Sequence, residues 1–299
     1  MKYYLGFDIG GTKCVVSVGR TDESGIEILG REEVKTASSP AETLERLFPV
    51  AEKFSKEYPV ESAGISCGGP LDGKKGILLT PPNLTGWHGF EIVKYIEGRY
   101  GVKAFLQNDA NACALAEWKY GAGRGTRNMV FLTFGTGLGA GLILNGKLYA
   151  GTNDNAGEVG HIRLAENGPV GFGKAGSFEG FCSGGGIAKL AAEMGFENQI
   201  TAKQLSEEAF RGNMLAKRVF EKSGRMLGKG LSILIDLLNP EKIVLGGVFM
   251  RSGELLISAM KEEIEKEALS VSASVCEIVP AELKENIGDY AALSVVGGV

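Results

Sequence analysis

Two glycine-bracketed turns carry the first chemistry legible in this chain. The string Asp8-Ile9-Gly10-Gly11-Thr12-Lys13 places backbone donors and a hydroxyl where a phosphate could lie, and Asp8 could hold Mg²⁺ directly or through water. A glycine turn also has a plain steric explanation, because type I′ and II′ hairpins demand glycine whether or not they bind anything. A second string, Thr133-Phe134-Gly135-Thr136-Gly137-Leu138-Gly139, repeats the construction with more glycine and no lysine. Two such turns in one chain are harder to dismiss as steric, and together they could clamp a polyphosphate from both sides of a cleft. Gly246 and Gly247 end a third apolar run, where an adenine ring could lie flat against backbone; alone, that run reads as an ordinary strand-to-helix turn.

Carboxylates supply the remaining chemistry. Asn108 and Asp109 sit between an apolar run and a helical one, where the helix dipole favours an ionised Asp109 that can take the proton of an attacking hydroxyl. Both residue types are also preferred helix caps, so capping alone would account for them. Glu158 and His161 in AGEVGHI, with Glu179 further on, provide the acceptors and donor needed to read several hydroxyls on one sugar ring. The loop Ser66 to Pro70, which contains Gly69, and Asn83 in TPPNLTGW could close over such a ring, although Pro-Asn turns also form for backbone reasons.

These residues need elements to hold them. Tyr3 to Asp8 reads as a strand and Cys14 to Val18 as its return. Helical spacing covers Ser39 to Tyr58, with Pro40 just inside a serine cap, and recurs from Phe90 to Tyr100. Further strands are expected at Ser62 to Ser66 and Val102 to Leu106. From Met129 the first hairpin begins again, which marks an internal duplication. A long helix over Met214 to Leu238, a strand over Lys242 to Leu245, a further helix, and a last one from Asp289 to Val296 complete an α/β pattern.

Composition bounds the function. The chain has 299 residues, enough for two cores, with 44% hydrophobic and 23% charged residues and a formal charge of −4. No basic run stands out to attract a phosphate backbone, so nucleic acid is not an expected partner. The opening residues carry neither a leader-like apolar segment nor a membrane span, and the expected location is cytoplasmic, with no membrane partner. Five scattered cysteines, none in a C-x-x-C pair, read as reduced thiols. Glycine is the anomaly at 45 residues, gathered in short loops between apolar runs.

Taken in order, DIGGTK, GGPLDG with PPNLTGW, NDANACALAE, FLTFGTGLGAGLILNGKLY, AGEVGHI and IVLGG resemble the motifs of the ROK family, over essentially the whole chain. The resemblance implies an actin-like ATPase fold, of the duplicated ribonuclease H-like kind, with two domains and an interdomain cleft. It implies a small domain over about 1–117 with a returning C-terminal helix at about 286–299, and a large domain over about 118–285. It implies ATP with Mg²⁺ and phosphoryl transfer to a hexose-type sugar, glucose or an N-acetylhexosamine, commonly at O6. Carried over position by position, Asp109 would be the catalytic base. Asn108, Glu158, His161 and Glu179 would contact the sugar, joining Gly69 and Asn83, which their loops alone already place there. Gly10, Gly11, Thr12, Thr136 and Gly137 would face phosphates, beside Asp8 for magnesium and Lys13, both already supplied by the first turn alone, and Gly246 with Gly247 would lie near adenosine. A homodimer is common among members.

The family also contains repressors with an N-terminal helix-turn-helix domain. This chain starts at the first phosphate strand, which disfavours that branch. A sugar-binding regulator without turnover is the alternative, and an ATPase that needs no sugar is a third, disfavoured by NDANACALAE.

Many members hold zinc with the histidine of GH and three cysteines in C-x-C-G-x-x-G-C-x-E. Here the string is Val170-Gly171-Phe172-Gly173-Lys174-Ala175-Gly176-Ser177-Phe178-Glu179, with no thiol at any of the three positions. Zinc is therefore not expected. Phe172, Phe178 and Phe181 are expected to pack this loop with apolar contacts instead, keeping Glu179 aimed at the sugar.

Overall fold

The computed structural model describes residues 1–22, 25–196 and 199–296; the expected last helix at 286–299 thus has its final three residues outside the described ones. The chain divides into two compact units, the first comprising 1–125, 147–156 and 282–299, the second 126–146 and 157–281.

In the first unit β1 (Lys2–Ile9) returns as β2 (Lys13–Asp22), followed by β3 (Gly25–Lys35), β4 (Val60–Cys67) and β5 (Lys103–Asn108). The sheet order is β3-β2-β1-β4-β5, antiparallel on the β3 side of β1 and parallel on the other. The period of two in β1 separates its faces. Leu5, Phe7 and Ile9 join Phe48, Ile65 and Trp87 in one buried core with helix α1 (Pro40–Glu57). Gly6 and Asp8 face the other way, toward the C-terminal helix Ile287–Ser294. A Cβ on Gly6 would lie 3.1 Å from Ala292, and one on Gly288 would lie 2.9 Å from the Asp8 carboxylate. Small residues one helical turn apart, Gly288 and Ala292, thus let this helix lie directly on the sheet.

Helices α2 (Ile92–Tyr100) and α3 (Asp109–Tyr120) flank β5 in sequence. The fully buried Glu117 on α3 accepts backbone hydrogen bonds from Ala122 at 2.8 Å, Glu282 at 3.1 Å and Leu283 at 2.9 Å. One carboxylate therefore ties the exit of α3 to the approach of the C-terminal helix, beside a small cluster of Ala112, Ala116, Ala291 and Val295.

The second unit repeats the scheme. Strands β6 (Met129–Leu132), β7 (Ala140–Leu144), β8 (Lys242–Leu245) and β9 (Glu277–Pro280) lie in the order β7-β6-β8-β9. The first pair is antiparallel and the other two pairs are parallel, as for β2-β1-β4-β5. Its longer helices and the short one carrying Glu179 are α4 (Phe178–Cys182), α5 (Gly184–Glu193), α6 (Ala202–Phe210), α7 (Met214–Leu238) and α8 (Val248–Glu267). Asn213 caps α7 by accepting from Leu215 and Ala216, and Asn239 ends it in a left-handed conformation at φ 45°. Gly224 and Gly228 of α7 bring it close to α8, where a Cβ on either would lie 2.6 Å from a carbonyl oxygen. Among the described residues, no helix is long and apolar enough to cross a membrane.

Candidate functional site

Register explains why the first unit's motif residues meet. Ile9 of β1 pairs with Cys67 of β4, which pairs with Asn108 of β5, so three parallel strands end level. The turns and helix start that leave these strand ends gather at one edge, the place where open α/β sheets bind ligands. The Gly10–Lys13 turn closes with Gly10 N–H donating to the Lys13 carbonyl at 3.1 Å, and the Thr36 hydroxyl donates to the Gly10 carbonyl at 2.6 Å. Gly11 lies so near Asn83 that a Cβ would overlap its carbonyl oxygen. Beyond β4, at the cis Gly69-Pro70 bond, a Cβ on Gly69 would lie 3.1 Å from the Asn108 amide nitrogen, and one on Gly68 would lie 4.0 Å from the Asp109 carboxylate. Asp8, Gly10, Gly11, Asn83, Gly69, Asn108 and Asp109 are thus one neighbourhood. Thr12 is exposed at the tip, and the Lys13 ammonium is engaged with Glu33 at 2.8 Å.

Asn108 caps α3, its side-chain oxygen accepting from Ala110 at 3.0 Å and Asn111 at 3.4 Å. Capping by Asn108 leaves Asp109 as the first helical residue, with its carboxylate accepting from Ala110 at 2.8 Å. The helix terminus was expected to favour the ionised form. Instead, desolvation by the surrounding protein outweighs these backbone hydrogen bonds and raises the Asp109 carboxyl above the usual carboxylate range, although the residue itself is exposed at the helix start. Asp8 is raised to about 6, first by burial and then by the nearby Asp109 and Asp289 charges, against the smaller pull of Lys13 and Arg31. Asp289 itself is raised by burial and held back by Arg31, whose Nε donates to it at 3.0 Å.

In the second unit the loop between β6 and β7 is built from its own backbone. Gly135 N–H donates to the Gly137 carbonyl at 3.0 Å, and Gly139 N–H donates to the Thr133 hydroxyl at 3.1 Å. Thr136 is exposed on this loop. The Glu179 carboxylate accepts from Leu138 N–H at 3.0 Å and sits where a Cβ on Gly137 would come within 2.7 Å. Glu158 precedes a single 3₁₀ turn, Val159–His161, whose Gly160 packs against Leu138 and Glu179. Gly246 and Gly247 follow β8 as the loop follows β6, and Gly246 N–H donates to the Leu132 carbonyl at 2.9 Å. Gly247 adopts φ 58° and approaches the Phe134 carbonyl, which any side chain would block. Thr136, Gly137, Glu158, His161, Glu179, Gly246 and Gly247 are therefore close along this second edge.

The apolar packing expected of the loop at 170–181 needs correction. Phe178 and Phe181 are buried, but Phe172 is 64% exposed, because it stands at the tip of a two-residue hairpin turn with no core behind it.

Several contributors were not singled out from sequence. Arg31, Asp289 and Gly288 surround Asp8, and nothing in their local sequence announces that contact across some 250 positions. Gly184 N–H donates to the Gly135 carbonyl at 2.7 Å, at the start of α5. The Ser183-Gly184-Gly185-Gly186 string, a cap before three glycines, was the available signal.

Comparison with known proteins adds an independent line. The ROK family model matches residues 4–297. The glucokinase of Thermotoga maritima is 29% identical over 308 positions, covering 98% of this chain and 96% of its own. Among solved structures, a Streptomyces griseus ROK family glucokinase in complex with glucose and AMPPNP is 29% identical with a TM-score of 0.79, covering 97% of each chain. A ROK family transcriptional regulator, homolog of the E. coli MLC protein, is 26% identical with a TM-score of 0.86, covering 98% of this chain and 77% of its own. These likenesses bear out the expected α/β, actin-like fold.

Proposed function

Because the chain belongs to the ROK family, we propose that it is an ATP-dependent sugar kinase that phosphorylates a hexose-type acceptor, glucose or an N-acetylhexosamine, at O6, with Asp109 as general base. The observation that carries this reading is Asp109 itself: a carboxylate at a helix start, level with the Gly10–Lys13 turn, whose raised proton affinity makes it a better base than an ordinary aspartate.

In the reaction, Asp109 takes the proton of the acceptor hydroxyl. The freed oxygen bonds to the γ-phosphorus as the bond to the bridging oxygen breaks, and ADP leaves with that electron pair. Asn108, fixed by its own cap bonds, and the Gly68–Gly69 backbone hold the acceptor against Asp109. Asn83, Glu158, His161 and Glu179 read the remaining hydroxyls, the two glycine turns donate to phosphate oxygens, and Gly246 with Gly247 leave room for adenosine. A single protein carboxylate beside substrate phosphates suits Mg²⁺, so Asp8 would hold the ion directly or through water, and the ion would neutralise charge at the phosphates.

The likeness to a transcriptional regulator favours one second reading, a sugar-binding protein without turnover. ADP release across a panel of hexoses and N-acetylhexosamines, with Asp109→Asn alongside, separates the two. One sugar stimulating the parent and not the variant supports the kinase; sugar binding with no stimulated turnover by any sugar rejects it.

A further inference from the structure

Phe172 is placed against the usual rules. It is the first central residue of a two-residue turn between Gly171 and Lys174, at φ 43°, followed by Gly173 at φ 76°. Positive φ at both positions is met in other hairpins by Asn, Asp or Gly, and a bulky ring there is an outlier. Burial does not compensate, since the side chain is 64% exposed. A strained and exposed aromatic residue points to a role for its ring.

That ring meets His161. The centroids are 4.9 Å apart at an interplanar angle of 73°, an edge-to-face contact. Two residues on, the Lys174 ammonium donates to the His161 carbonyl at 2.7 Å. The hairpin is itself anchored: Lys189 donates to the Val170 carbonyl at 2.7 Å, and Arg163 to the Ala175 carbonyl at 2.8 Å. The Ser177 hydroxyl accepts from Gly180 N–H at 3.1 Å, capping the helix that carries Glu179, and donates to the Gly171 carbonyl at 3.3 Å.

Zinc does not fit this arrangement. His161 is the one matching ligand, with Val170, Phe172 and the already engaged Ser177 in the thiol positions. Among the described residues, no three His, Cys, Asp or Glu side chains gather to hold a metal.

We propose that the Val170–Ala175 hairpin is a metal-free clamp on His161, gripping its ring through Phe172 and its carbonyl through Lys174, and that this clamp sets affinity for the acceptor sugar. Phe172 and Lys174 are positioning residues, and their role in sugar affinity rests on the proposed kinase activity. The chain has two histidines, so imidazole signals in a carbon-edited proton spectrum come from His88 and His161 alone. In Phe172→Ala the His161 protons lose their ring-current shift while those of His88 stay in place.

The same variant raises the sugar KM about tenfold, the upper range for an edge-to-face ring contact, with kcat and the ATP KM within about twofold. Phe172→Tyr retains both properties, and Lys174→Met raises the sugar KM about threefold. Elemental analysis finds no bound zinc, and chelators leave sugar affinity unchanged. An unaltered sugar KM in Phe172→Ala, an unmoved His161 signal, or one zinc per chain overturns the clamp. If no sugar supports turnover in the parent, the kinase reading fails separately. Calorimetric sugar binding by parent and Phe172→Ala then decides the clamp, with equal affinities overturning it.

Discussion

The two glycine turns share a backbone plan and differ in charge. Gly10–Lys13 follows β1 beside three carboxylates, Asp8, Asp109 and Asp289, each raised in proton affinity chiefly by desolvation from the surrounding protein. Thr133–Gly139 follows β6, and the carboxylate recorded on its backbone, Glu179, braces Leu138. Duplication thus preserved a way of presenting backbone donors, while the side chains around it diverged. One turn is surrounded by groups fit for proton and cation chemistry; the other is stiffened to hold a fixed shape.

The largest expected effect tests that division at its strongest point. Asp109→Asn keeps the cap and most of the shape but removes the base, so kcat falls about 1,000-fold, within the usual range for general base catalysis, while calorimetric sugar affinity is retained. Glu179→Gln exchanges a charged acceptor for a neutral one, both at Leu138 N–H and at the sugar hydroxyl it reads, and lowers kcat/KM for ATP and for sugar about tenfold each. Should the two variants cost the same in kcat, the contrast between the turns would be wrong.

The pH dependence sharpens the comparison. Because the folded Asp109 carboxyl is raised, kcat/KM falls as pH drops through a value above the ordinary aspartate range, and the Glu179→Gln profile keeps the same acid limb. Stability carries the opposite sign. Asp8, at about 6 when folded, binds more protons than in the unfolded chain between about 4 and 6, so it lowers stability as pH rises through that window. In metal-free buffer, Asp8→Asn raises Tm by roughly 5–10 °C at pH 7.5 and has almost no effect at pH 4. The smallest effect belongs to the helix under Glu179: Ser177→Ala costs about 1 kcal/mol of stability in thermal or denaturant unfolding, as lost caps do.

Local signals account for what was legible in the sequence. The two strand-turn-strand repeats, the helix at Met214–Leu238 and the strand at Lys242–Leu245 stand where apolar period and caps placed them. Strand β3 escaped notice because Gly25–Lys35 is an edge strand whose charges, among them Arg31, Glu32 and Glu33, hide its alternation. Strand β9 is no shorter than Lys242–Leu245, but it has only two apolar β-formers, is half exposed and ends on a proline, so it carries neither a buried run nor a glycine stop to mark it. The motif residues could be found because glycine strings and strand-end carboxylates are local. Their surroundings could not: Arg31 reaches Asp289 across the chain, and desolvation by distant parts of the fold raises Asp8 and Asp109. Phe172 looked like core from its type alone, and only the hairpin register shows it outside.

Glu117 has a bearing on how the protein is made. Its carboxylate takes N–H groups from residues 122, 282 and 283, so the first unit lacks two of these three partners until some 160 further residues have left the ribosome. At 5–20 residues per second that wait is roughly 8–30 s. Through it a buried acid and the alanine face of Asp109–Tyr120 stay uncovered, while most of the second unit is already synthesised. The part of the chain that is translated first is therefore completed last.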